Sequence, residues 1–98
     1  MSTLSTHIFS AVDPKEWKEI KEEILKTFKK HWTRGPLVVK DCTKPGLSYN
    51  DLGDTGEIED WGNSLAFLWD VGLGFPEMIT KIGTIDGVAM LSSYSNDS

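Results

Sequence analysis

The 98-residue sequence predicts a small α+β fold, with amphipathic helices packed on a short, mainly antiparallel sheet in the order β-α-β-loop-α-β-β. Three observations predict it. One long run carries apolar residues at helical spacing behind a capping sequence. Several β-branched segments are too short to be helices. An Asp-Gly dipeptide lies between two apolar runs near the end of the chain. The length suits one domain, residues 1–98, around one modest core.

Ser5 to Val12 (STHIFSAV) reads as a strand with Ile8 and Val12 on one face. Asp13-Pro14-Lys15-Glu16 then starts a helix. Asp13 fits the N-cap, Pro14 the first helical position, where a missing N–H costs nothing, and Glu16 the capping-box site. Trp17, Ile20, Ile24, Phe28 and Trp32 follow at spacings of three and four, with Lys and Glu opposite. Residues 14–32 therefore form an amphipathic helix, ended by Arg34-Gly35-Pro36.

Leu37-Val38-Val39-Lys40 is a short strand. Residues 42–56, with Pro45 and three glycines, read as a long loop. A second helix is expected behind this loop, with Gly62 inside its pattern as the argument for a later start. Asp54 and Glu57 stand in capping-box relation, Ile58, Trp61, Leu65 and Leu68 recur at helical spacing, and Gly72 supplies the stop. Glu77 to Ile85, rich in Ile and Thr, reads as a strand, with a short helix at 76–82 as the alternative. Asp86-Gly87 turns it into Val88–Leu91, so that Ile85 faces Val88 and Ile79 faces Tyr94. The tail SSYSNDS reads as frayed, above all residues 95–98.

Charge is distributed unevenly. The net charge is −5, but residues 1–45 carry nine Lys/Arg against six Asp/Glu, while residues 46–98 carry nine Asp/Glu against Lys81 alone. Such a surface repels phosphate, so direct nucleic-acid binding is not expected, and it attracts a basic protein. No apolar run approaches the length of a membrane span, and MSTLSTHIFS lacks the basic start of a secretory leader. Together with the single cysteine, Cys42, these features suit a cytoplasmic protein.

Catalytic and ligand-binding patterns are scarce. Laid on the EF-hand pattern from Asp51, position three is Gly53 and position twelve is Gly62, where a bidentate Glu is required. His7, His31 and Cys42 show no paired metal-ligand spacing. There is no GxSxG elbow and no Walker loop. Gly72-Leu73-Gly74-Phe75 spells the carboxylate-binding loop of PDZ domains, but too little chain follows it for that fold. No enzyme activity, cofactor or metal is expected.

Trp61-Gly62-Asn63-Ser64-Leu65-Ala66-Phe67-Leu68-Trp69-Asp70 resembles a helix of barstar-type ribonuclease inhibitors, through Gly62, Leu65, Leu68, Trp69 and Asp70, with Trp61 in place of a tyrosine. In that family the closing aspartate and the preceding aromatic face a basic nuclease site. The resemblance implies those roles for Asp70 and Trp61. Phe67 lies off the apolar face of the expected helix, and an exposed aromatic among charges is the composition of an interface anchor.

The expected function is therefore a small acidic protein that blocks a basic, nucleic-acid-binding type of site on a partner such as a nuclease, toxin or defence effector. Immunity proteins, antitoxins and phage counter-defence inhibitors, some of which mimic nucleic acid, work in this way. The expected surface is Asp51, Asp54, Glu57, Glu59, Asp60, Trp61, Phe67 and Asp70. The alternative is a self-assembling scaffold domain, a homo-oligomer that buries an open hairpin edge and its tryptophans against an identical chain.

Overall fold

The computed structural model describes residues 2–32, 37–43, 57–70 and 77–97. They form β1 (Ser2–Ala11), α1 (Trp17–His31), β2 (Val38–Asp41), β3 (Glu57–Asp60), β4 (Leu65–Asp70), α2 (Glu77–Gly83) and β5 (Val88–Asp97). The strands make one sheet in the order β2-β3-β4-β1-β5. Only the β2–β3 pairing is parallel; β3–β4, β4–β1 and β1–β5 are antiparallel. The expected α+β fold, helices on a mainly antiparallel sheet, is present. The observed order is β-α-β-β-β-α-β, so the expected sequence of elements after residue 56 is corrected.

The first helix forms where the capping sequence places it. Asp13 accepts a hydrogen bond from the Lys15 amide at 3.1 Å, Pro14–Glu16 make one 3-10 turn, and α1 continues from Trp17. Ile20, Ile24, Phe28 and Trp32 are buried, as their spacing requires. The strand before it differs in register. Ser5, His7 and Phe9 point into the core, while Val12 lies beyond the strand and is 71% exposed.

Residues 57–70 are a β-hairpin, not a helix, which also removes the helix implied by the barstar-type resemblance. Gly62, with φ +94°, sits first in the two-residue loop, and Asn63 has negative φ. A glycine with positive φ at that place is what a tight two-residue hairpin loop favours. The Trp61 amide donates to the Ser64 carbonyl at 2.9 Å and closes the loop. The Asp60 carboxylate accepts from the Gly62 amide at 2.9 Å. Helical spacing of Ile58, Trp61, Leu65 and Leu68 loses here to strand alternation: Leu65, Phe67 and Trp69 all enter the core from one face of β4.

The stretch expected as a strand from Glu77 is α2, the helical alternative. Met78, Ile79 and Ile82 share one helix face and are all buried; a strand would have sent neighbours Met78 and Ile79 to opposite sides. Asp86-Gly87 is still a turn, with Gly87 at φ +87°, but it leads from α2 into β5 instead of closing a hairpin. A Cβ on Gly87 would also stand 3.2 Å from Ile20 Cδ1. The tail is strand as far as Asp97, where β5 pairs with β1 from Ala11↔Val88 to Ser2↔Asp97, and Ser98 lies outside the described residues.

Phe67 is the centre of the core. Its ring is completely buried and meets Phe28 edge-on at 4.9 Å, Trp32 edge-on at 5.8 Å and Trp69 in a stack at 5.8 Å. Such contacts add to the apolar area that each ring removes from water. Truncating Phe67 to Ala should therefore cost about 3–5 kcal/mol of unfolding free energy, read from the midpoint of a urea titration. An unchanged midpoint would mean that this ring is not in the core.

Candidate binding surface

The expected acidic patch is only partly on display. Asp51 and Asp54 lie outside the described residues. Glu57 begins β3 and Asp70 ends β4, which places both backbones at the end of the hairpin opposite its turn. Glu59 is completely buried: its Oε1 accepts from Trp61 Nε1 at 2.8 Å, and its Oε2 has no hydrogen-bond partner among the described residues. Asp60 forms an ion pair with Lys21 of α1. Trp17 Nε1 donates to the Gly62 carbonyl at 2.8 Å and fastens the same helix to the hairpin tip. Trp61 is half-buried, with its indole held by Glu59. Phe67 is in the core, so an exposed Phe67 is corrected. Two acids and one aromatic of the expected surface thus hold the fold together.

Cys42 lies beside Glu59, and its amide donates to the Asp60 carbonyl at 2.9 Å. Burial pushes its thiol above the ordinary range, with the Glu59 carboxylate adding to the shift. A thiol held protonated is a poor nucleophile. No group of three His, Cys, Asp or Glu side chains among the described residues is arranged to hold a metal ion. No described helix is long and apolar enough to cross a membrane.

His7 is buried on β1 between two serines. Ser5 Oγ hydrogen-bonds His7 Nε2 at 3.0 Å and reaches the Trp69 carbonyl at 3.4 Å. Ser92 Oγ hydrogen-bonds His7 Nδ1 at 2.8 Å across the β1–β5 pair. A serine on a histidine nitrogen is the spacing of a nucleophile and its base. Here the other nitrogen meets a serine hydroxyl, which does not stabilise an imidazolium as a carboxylate would. The network instead ties β5 to β1, with the Tyr94 ring edge-on to the imidazole at 6.3 Å. Sequence spacing gave no sign of it, because the serines reach His7 only once the strands are in register.

The open surface lies along β5. It is the last strand on its side of the sheet, and no described strand pairs with its outer edge. The Val12 amide donates to the Gly87 carbonyl at 2.8 Å, in line with the constant β1–β5 register. Antiparallel pairs alternate, so Ala89, Leu91, Ser93 and Ser95 turn their backbone groups toward β1. Val88, Met90, Ser92, Tyr94 and Asn96 turn theirs outward. The Val88 amide is used in the preceding turn, where it donates to the Ile85 carbonyl at 3.2 Å. The outward amides of Met90, Ser92, Tyr94 and Asn96 have no backbone partner among the described residues.

From Met90 to Tyr94 the side chains along this edge are exposed and uncharged. Met90 is 43% exposed, Leu91 67% and Tyr94 61%. From Gly87 to Asn96 there is no charged residue and no proline. The opposite edge, β2, is four residues long and contains Lys40 and Asp41. Short, charged edges resist pairing with other chains, and long uncharged ones invite it. No protein-family model, no curated protein and no solved structure matches the chain.

Burial holds the His7 pKa below its ordinary value of 6.5. Between the folded value and 6.5 the unfolded chain carries more protons than the folded one, so folding weakens as pH falls through that window and is fully supported above it. His7→Gln should flatten this dependence. Urea midpoints from pH 5 to 8 check it: a wild-type midpoint that holds steady or rises on acidification would contradict a buried neutral His7.

Proposed function

We propose that this chain is a non-catalytic binding domain that works by strand addition: β5 accepts an extended strand along its outer edge. One observation carries the reading. Four outward amides lie on a strand that is uncharged from Val88 to Asn96 and whose side chains from Met90 to Tyr94 are exposed and apolar or hydroxylic. Backbone hydrogen bonds supply affinity in such an arrangement, and the alternating side chains supply selectivity. Met90 and Tyr94 lie on the helix side of the sheet and Leu91 on the other, so an incoming strand meets apolar contacts on both faces.

The charge distribution favours a second reading, an acidic protein that blocks a basic partner of the nuclease, toxin or defence-effector kind. No base occurs between Gly46 and Thr80. With Glu59 buried and Asp60 paired to Lys21, that reading rests on Asp51, Asp54, Glu57 and Asp70.

One capture experiment separates the two. Tyr94→Pro deletes an outward amide that β1 does not use, a position where an edge strand accepts proline. Strand addition predicts that this variant keeps its fold by circular dichroism and loses the partners that the wild type captures. The double variant Glu57→Lys/Asp70→Lys should retain them. The reverse pattern supports the acidic reading, and capture unaffected by Tyr94→Pro rules out the β5 edge.

A further inference from the structure

We infer that the strand taken up by β5 is the β5 of a second copy of this chain, in an antiparallel pair centred on Ser92. The inference rests on the strand-addition reading and names its partner. Three features point to a copy. First, the paired stretch from Gly87 to Asn96 carries no charge, so like charges approach only at its two ends, where Asp97 comes opposite the partner's Gly87 and beside the partner's Asp86. Second, the hydrogen-bonding pattern is complementary to itself. Donors are the amides of Met90, Ser92, Tyr94 and Asn96, and the carbonyls of Val88, Met90, Ser92 and Tyr94 face the same way. When Ser92 lies opposite the partner's Ser92, each of these donors meets one of these carbonyls.

Third, the side chains choose between registers. A pair centred on Ser93 also uses every outward amide, but it sets Met90 against the partner's Asn96. The pair centred on Ser92 sets each exposed Met90 against the partner's Tyr94, a sulfur–aromatic match made twice by symmetry. On the other face Leu91 comes opposite the partner's Ser93. Residues paired in this way share a side of the sheet, so both copies carry their helices on one face of a continuous ten-strand sheet. An interface made mainly of one strand pair is small, so the dimer dissociates on dilution.

Sedimentation and thiol cross-linking test this together. Wild-type protein should be a dimer when concentrated and a monomer when dilute, and Tyr94→Pro should be a monomer throughout. For the register, Cys42→Ser is the background into which Leu91→Cys and Ser93→Cys are introduced separately. Directly opposite residues outside the hydrogen-bonded pairs lie about 4.5 Å apart between Cα atoms, within disulfide range. A mixture of the two variants should therefore oxidise mainly to the mixed 91–93 dimer. Fastest cross-linking of Ser93→Cys with itself, or of Leu91→Cys with itself, overturns the register. A dimer that persists in Tyr94→Pro overturns the β5 interface. Wild type that stays monomeric at every concentration overturns self-pairing, while strand addition to another protein stands or falls by the capture experiment.

Discussion

β1 uses its backbone hydrogen bonds on both sides, β4 along one and β5 along the other, and the rest of the structure follows from that constraint. A strand buried between two neighbours leaves no peptide group unpaired. Its side chains then divide by parity. Ser5, His7 and Phe9 go inward beneath the helices, and the two serines around His7 give the buried imidazole partners on both nitrogens. The same pairing leaves β5 with half of its backbone satisfied. Its other half faces outward at the end of the sheet.

The helices seal one face through a single aromatic cluster. Phe28 of α1 and Trp32 just beyond its end pack onto Phe67 and Trp69 of β4, and α2 adds Met78, Ile79 and Ile82. Polar links hold α1 against the hairpin: Trp17 to Gly62, and Lys21 to Asp60. The acids at 59 and 60 are thereby drawn into structural roles. Glu59 sits buried beneath Trp61, and Asp60 serves both the turn and the ion pair. Local acidity is therefore a poor guide to the acidity this surface presents.

The α+β class and the first helix were legible in the sequence because their signals are local. Asp13-Pro14 and the Trp17-to-Trp32 spacing are read within a few turns of chain. The 57–70 hairpin is hidden by a coincidence: Ile58, Trp61, Leu65 and Leu68 fit helical spacing, while the residues on both faces of β4 from Leu65 to Trp69 are apolar, so the alternation of its faces leaves no apolar–polar pattern in the sequence. Gly62-Asn63 was the signal that favoured a hairpin. The serine-rich tail looked frayed because its partner, β1, lies at the other end of the chain. No residue pattern says which strand ends a sheet, so the open edge emerges only from the topology.

The two edges of this sheet differ in the properties that govern association. β2 is short and charged, and β5 is long, uncharged as far as Asn96 and apolar at Met90, Leu91 and Tyr94. Residue-resolved amide exchange at low and high protein concentration tests most directly whether that outer edge is the working surface. The account predicts slow exchange at Ala89, Leu91, Ser93 and Ser95 throughout. At Met90, Ser92, Tyr94 and Asn96 it predicts fast exchange in dilute protein that becomes slow on concentration. Exchange at these four amides that is slow even in dilute protein, or that concentration does not change, would contradict it.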